Sequence, residues 1–230
     1  IGASLTEGFL RQGAKVAFVG RSDATEFAER MEAETGSRPL FIQCDITDTK
    51  ALQAAIAKSA EAHGPITVLV NNAAFQMSHD TLEEISDEEW VKTFDINITA
   101  MFRICKAALP SMAAGSSIIN TSSVNSDSPK PTLLPYATTK GAIANFSAGL
   151  AQMLGPRGIR VNSVAPGPIW TPLIVATMTD EDVKSFGEET PLGRPGQPVE
   201  VAPIYVLLAS DEASYISGTR YGVTGGKPIL

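Results

Sequence analysis

Apolar residues recur along this chain in two rhythms that alternate. Leu5, Phe9 and Leu10 fall at helical spacing and Gly13 follows as a helix stop. The next apolar run, Lys15 to Val19, ends at Gly20-Arg21 and reads as a buried parallel strand. Asp23 caps a helix that reaches about Thr35 and stops at Gly36, and Pro39 to Cys44 is a second strand closed by Asp45. Asp48 opens a helix to about Ala62, broken by Gly64-Pro65, before the strand Thr67 to Val70 and the turn Asn71-Asn72-Ala73-Ala74. A long helix is expected from about Asp87 through Met112, carrying an apolar stripe of Trp90, Phe94, Ile98 and Phe102. The strand Ser117 to Thr121, a helix from Pro135 to about Leu154, the strand Ile159 to Val164, a helix near Val199 to Leu208 and a last strand around Arg220 to Val223 complete the series.

Strands alternate with helices and no composition break marks a linker, which predicts a single α/β domain: one Rossmann-type, doubly wound parallel sheet with helices on both faces. The Pro-rich, irregular segment from Thr171 to Pro198 reads as a lid over one end of that sheet. The 230 residues, 43% of them hydrophobic, suffice for a substantial core.

A net charge of −7 without a long Lys/Arg cluster argues against nucleic acid as a partner, and no apolar run reaches the ~20 residues of a membrane helix. Cys44 and Cys105 stand apart without CxxC spacing, as reduced thiols of a cytoplasmic protein do. His63 and His79 have no partners at ligand spacing, so no metal is expected.

The candidate chemistry gathers around Ser122, Ser123 and Pro135-Tyr136-Ala137-Thr138-Thr139-Lys140. Tyr136 and Lys140 are four apart and share a helix face. A free phenol holds its proton at pH 7, but a neighbouring ammonium favours the phenolate, so Tyr136 is expected to exchange a proton near neutrality. The two serines lie at a strand's carboxyl end, where open α/β sheets bind ligands. A Tyr-x-x-x-Lys pair alone is weak, because such residues also meet by chance on exposed helices.

With Ser123 thirteen positions before Tyr136, the chain resembles the short-chain dehydrogenase/reductases of classical type. The resemblance implies Ser123, Tyr136, Lys140 and Asn97 as the catalytic set, with Tyr136 as acid and base. Lys140 tunes Tyr136 and binds the nicotinamide ribose, and Asn97 holds a water that passes protons on from the lysine. Ile1-Gly2 resembles the end of the family's glycine-rich TGxxxGIG turn, so the first strand and earlier glycines are expected in a longer native chain. On the same footing Asp45 and Ile46 lie at the adenine, and Asn71 and Ala73 at the adenosine ribose, in a turn where Ala74 replaces the commoner glycine. Pro166-Gly167 resembles the PG motif, with the Ile169 backbone and the Thr171 hydroxyl on the nicotinamide carboxamide. Gly20 stands where an acidic residue would repel a 2′-phosphate, and Arg21 and Ser22 can pair with that phosphate, so NADP(H) is favoured over NAD(H).

The expected reaction is reversible hydride transfer between the nicotinamide and a small alcohol or carbonyl compound. A pocket walled by Asn125, Leu133, Trp170 and Met178 is mainly apolar, favouring small ketones, aldehydes or hydrophobic alcohols. Glucose-type dehydrogenases and 3-ketoacyl carrier-protein reductases share the scaffold, and a non-catalytic NADP(H) sensor on the same fold is the rival from another class. The resemblance further implies a homotetramer, at least a homodimer, built through the long helix and the small-residue helix after Tyr136.

Overall fold

The computed structural model describes residues 1–229. Among the described residues there are six strands: β1 Ala17–Gly20, β2 Leu40–Gln43, β3 Val68–Asn71, β4 Ser117–Thr121, β5 Arg160–Pro166 and β6 Arg220–Val223. All described pairs are parallel, in two groups: β1 beside β2, and β3, β4, β5 and β6 side by side in that order. Parallel strands need long crossovers, and each crossover here carries helix. α1 Gly2–Arg11 precedes β1, and the crossovers carry α2 Thr25–Thr35, α3 Thr49–His63, α4 Asp87–Phe94, α5 Ala100–Ala108, α6 Leu134–Leu154, the short α7 Pro172–Thr177 and α8 Asp180–Lys184, and α9 Pro198–Ala209.

Local sequence explains the boundaries. The Asp48 carboxylate accepts from the Lys50 and Ala51 backbone N–H groups at 2.9 and 3.0 Å and starts α3, a cap that contributes about 1 kcal/mol. Gly36, in the left-handed region at φ 75°, ends α2. The long helix expected over residues 87–112 is interrupted: Asp95–Thr99 forms one π-turn between α4 and α5. Such turns add a residue to the helix ladder and often mark functional sites. The buried Asn97 side chain lies within it.

Side-chain alternation on β4 and β5 divides the core into two layers. Ile118 and Val161 pack with Cys105, Ala108, Leu150 and Leu154 against α5 and α6. Ile119 and Val164 pack with Leu5, Val201, Tyr205 and Leu208 against α1 and α9. Ile118, Ile119, Val161 and Val164 are fully buried, and each such side chain stabilises the fold by about 1.5–3 kcal/mol. The same alternation decides the polar residues. Asn120 turns toward α6 and donates to Ser147 at 2.9 Å, whereas Thr121 turns toward α9 and meets the Tyr205 hydroxyl at 2.7 Å.

Among the described residues no group of three His, Cys, Asp or Glu side chains could hold a metal ion, and no helix is long and apolar enough to cross a membrane. Cys44 and Cys105 are free and buried. His79 pairs with Glu89 at 2.8 Å.

Candidate active site

β4 runs out into Ser122 and Ser123, and the strand's alternation gives the two hydroxyls different work. Ser122 Oγ donates to the Lys140 carbonyl at 2.9 Å and is spent on α6. Ser123 accepts from the Asn125 backbone N–H at 3.2 Å and hydrogen-bonds the Tyr136 side chain. Pro135 lies in the first turn of α6, where its missing N–H costs nothing, and this puts Tyr136 at the helix start. One turn on, Lys140 Nζ lies 5.2 Å from the centre of the Tyr136 ring and donates to the Thr121 carbonyl at 2.7 Å. The spacing thus brings Ser123, Tyr136 and Lys140 into one cavity of about 1250 Å³.

Acidity at this site departs from the sequence expectation. Burial pushes the Tyr136 phenol up to about 12, and the hydrogen bond with Ser123 pulls weakly the other way. Burial also pulls the Lys140 ammonium down to about 7. Desolvation disfavours whichever form is charged; Lys140 is buried and Tyr136 is half-buried. Tyr136 therefore holds its proton at neutral pH, as an acid must before it gives one up, while Lys140 stands near the midpoint of its titration.

Asn97 is committed to bracing. Its Oδ1 accepts from the Phe75 N–H at 2.7 Å, and its Nδ2 donates to the Phe75 carbonyl at 2.9 Å and to Thr139 Oγ1 at 2.9 Å. Both amide hydrogens are used, so the side chain has only a lone pair left for a water. It ties the loop after β3 to the helix carrying Tyr136 and Lys140.

Two cavities meet at Ala73 and Ala74, which line both. The first, about 780 Å³, is lined by Gly20, Arg21, Asp45 and Ile46. Half of the Asp45 carboxylate is engaged there, its Oδ1 accepting from the Thr47 N–H and hydroxyl at 2.9 and 2.8 Å. The second cavity is lined by Ile1, Asn72, Pro166, Gly167, Ile169 and Thr171 as well as the catalytic candidates. Gly167 closes against Thr224, whose Cα would lie 3.0 Å from an added Cβ. A groove with Arg21 at the Gly20 end and the Tyr136-Lys140 pair at the other has room for an extended ligand such as a dinucleotide.

Several expected residues lie elsewhere. Asn71 does not face the groove: its Nδ2 donates to Asn120 Oδ1 at 2.8 Å and approaches Cys105 Sγ at 3.4 Å. It shares the strand face of Leu69, and the next residue, Asn72, is the one exposed to the cavity. Gly2 sits behind Asn72, whose Nδ2 would be 3.3 Å from a Cβ at that glycine. Ser22 is exposed and does not line either cavity. Trp170 does not line the cavity; its ring packs at a tilt, centroids 6.0 Å apart, on Phe186, which does. Asn125, Leu133 and Met178 do line the cavity. The wall is also more polar than its apolar positions suggest, because Gln76, Ser185, Glu188 and Glu189 join it. Asn72 could have been found from the phase of β3, but no periodicity signals Gln76.

Comparison with known proteins bears on this geometry. The family model for enoyl-(acyl carrier protein) reductase matches residues 1–227. YhdF, an uncharacterized oxidoreductase of Bacillus subtilis (strain 168), is 45% identical over 232 residues, covering 100% of this chain and 80% of that protein. The NADPH-dependent aldehyde reductase 1, chloroplastic, of Arabidopsis thaliana is 42% identical over 100% of this chain and 83% of its own length. Among solved structures, L-sorbose reductase from Gluconobacter frateurii, complexed with NADPH and L-sorbose, superposes with a TM-score of 0.89 at 29% identity, covering 99% of this chain and 93% of that one. The parallel α/β fold and these matches along the whole chain agree: the protein belongs to the short-chain dehydrogenase/reductase family of oxidoreductases.

Proposed function

We propose that the protein reduces a small carbonyl compound to its alcohol, and catalyses the reverse oxidation, with NADP(H) preferred over NAD(H). The observation that carries this reading is the convergence of Ser123, Tyr136 and Lys140 on one cavity. When NADPH is bound, its nicotinamide supplies the hydride that reaches the carbonyl carbon. Negative charge then grows on the carbonyl oxygen, where a hydrogen bond from Ser123 lowers the barrier. Tyr136 gives its proton to that oxygen, completing the alcohol, and the phenolate left behind is stabilised by the Lys140 ammonium. In oxidation the phenolate takes the hydroxyl proton back. Asn97 keeps α6 in register with the loop after β3 and so serves as a positioning residue.

Arg21 in the adenosine-end cavity, with Gly20 in place of an acid, supports the choice of NADP(H). The NADPH held by L-sorbose reductase and the name of the plant aldehyde reductase point the same way. Ile1, Asn72, Ala73, Pro166, Gly167, Ile169 and Thr171 would line the nicotinamide half, and Asp45 and Ile46 the adenine. Exposed Trp90, Val91 and Phe102 on α4 and α5, with Leu134 and Met153 on α6, support assembly of copies into a homotetramer through these helices. Light scattering that gives a stable monomer would refute it.

The test is consumption of NADPH and NADH across aldehydes, diketones, keto esters and sugar lactones. Turnover with NADPH is expected. Arg21→Ala should raise KM for NADPH about 10-fold and leave KM for NADH nearly unchanged, as loss of one charge-assisted contact predicts. Binding of NADPH without consumption on any substrate would favour a cofactor sensor.

A further inference from the structure

Gln76 is 3% exposed, yet it lines the cavity that holds Ser123, Tyr136 and Lys140. Its Nε2 lies 2.8 Å from Thr177 Oγ1 on α7. That contact fixes which way the amide points. The single hydroxyl hydrogen of Thr177 goes to the Leu173 carbonyl at 2.6 Å, so toward Gln76 its oxygen can only accept. The amide nitrogen must therefore face Thr177, which leaves Oε1 on the cavity side. Among the described residues nothing donates to Oε1, and it is not sealed in the core. An acceptor open to the cavity and without a protein partner is free to take a donor from a bound ligand.

The position of residue 76 is also rigid. The peptide of Phe75 is held at both its N–H and its carbonyl by Asn97, and Asn97 is bonded to Thr139, next to Lys140 on α6. Gln76 is thus held in register with the proton donor by three hydrogen bonds.

We infer that Gln76 is a specificity-determining residue whose Oε1 accepts a hydrogen bond from a hydroxyl on the substrate, which makes hydroxylated carbonyl compounds and their polyol products the preferred substrate class. This rests on the carbonyl reductase reading above. The hydroxyl it accepts is one the reaction leaves unchanged.

The experiment compares kcat/KM for substrate pairs of equal carbon number, glyceraldehyde against propanal and erythrulose against butanone, with NADPH saturating. The unaltered protein is expected to favour the hydroxylated member by about 10- to 100-fold, since a site built around a substrate hydroxyl discriminates against analogues lacking it. Gln76→Met, of similar shape, should bring that ratio close to one. Thr177→Val removes the acceptor that orients the amide and should lower the ratio as well, by less than Gln76→Met does; a ratio left unchanged in both variants counts against the inference. A ratio near one in the unaltered protein, or one that Gln76→Met leaves in place, overturns the inference. So does a Gln76→Met effect confined to KM for NADPH, which would assign Oε1 to the nicotinamide carboxamide. If no substrate is turned over, the reductase reading fails by itself. The inference is then judged by calorimetric Kd values for the same pairs in protein saturated with NADP⁺, where equal affinities overturn it and a preference lost in Gln76→Met upholds it.

Discussion

Replacing Lys140 with Met should change the way stability depends on pH. The ammonium is 2% exposed, and burial lowers its pKa from 10.5 to about 7. Below pH 7 both the folded and the unfolded chain carry the charge, and the folded state bears the full cost of burying it. As pH rises through 7 the folded protein sheds the proton while the unfolded chain keeps it up to 10.5, so stability climbs across that window. The limiting slope is about 1.4 kcal/mol per pH unit, and integration over pH 7 to 9 gives about 2 kcal/mol. The Tyr136 phenol works in the opposite sense, but only above pH 10, where the unfolded tyrosine ionises and the folded one does not until about 12. Urea unfolding at pH 7, 8 and 9, without added nucleotide, isolates the lysine. The unaltered protein should gain about 2 kcal/mol relative to Lys140→Met between the ends of that series. Loss of the bond to the Thr121 carbonyl shifts the variant by a constant and drops out of the comparison. A difference that stays flat within about 0.5 kcal/mol would mean that Lys140 is not desolvated in the fold, and the acidity described for the site would fall with it.

Tyr136→Phe should cut kcat by about 10²- to 10⁴-fold in steady-state assays while KM for NADPH holds, the range typical of a lost general acid; a tenth of the activity surviving would count against that role. Ser123→Ala should lower kcat/KM by about 10²-fold through loss of a donor to the developing oxyanion. Ser122→Ala loses a bond to the Lys140 carbonyl instead and should cost about 1 kcal/mol of stability with activity kept, so equal kinetic losses in the two variants would contradict their assignment. Gly187 has φ 84° and an added Cβ would lie 2.5 Å from the Pro195 nitrogen, so Gly187→Ala should lower stability by about 1–3 kcal/mol in thermal unfolding.

The fold class was legible because buried parallel strands and amphipathic helices carry different periods, and β4 and α6 fall where those periods place them. A strand end and a helix start separated by a short loop placed Ser122 and Ser123 near Tyr136, and the family resemblance chose Ser123 between them. What the sequence missed has specific causes. Asn71 was assigned to the groove, but its side chain follows the phase of Leu69 into the core and bonds Asn120. Trp170 reads as pocket wall from its place after β5, yet its ring turns to Phe186. The acidity of Tyr136 moved the opposite way because helix spacing says nothing about water, and desolvation is the largest influence on the phenol, ahead of its hydrogen bond with Ser123. The π-turn at Asp95–Thr99 has no periodic signature, since the residues flanking it read as one helix.

The clamp made by Asn97 has a practical meaning for anyone altering this protein. One amide serves as the hinge pin between the wall that would choose the molecule and the helix that would protonate it. Substitutions at residue 76 can retune selectivity while that pin stays in place. Changing residue 97 itself would loosen both parts at once, and a library randomised there would confuse weak recognition with slow chemistry.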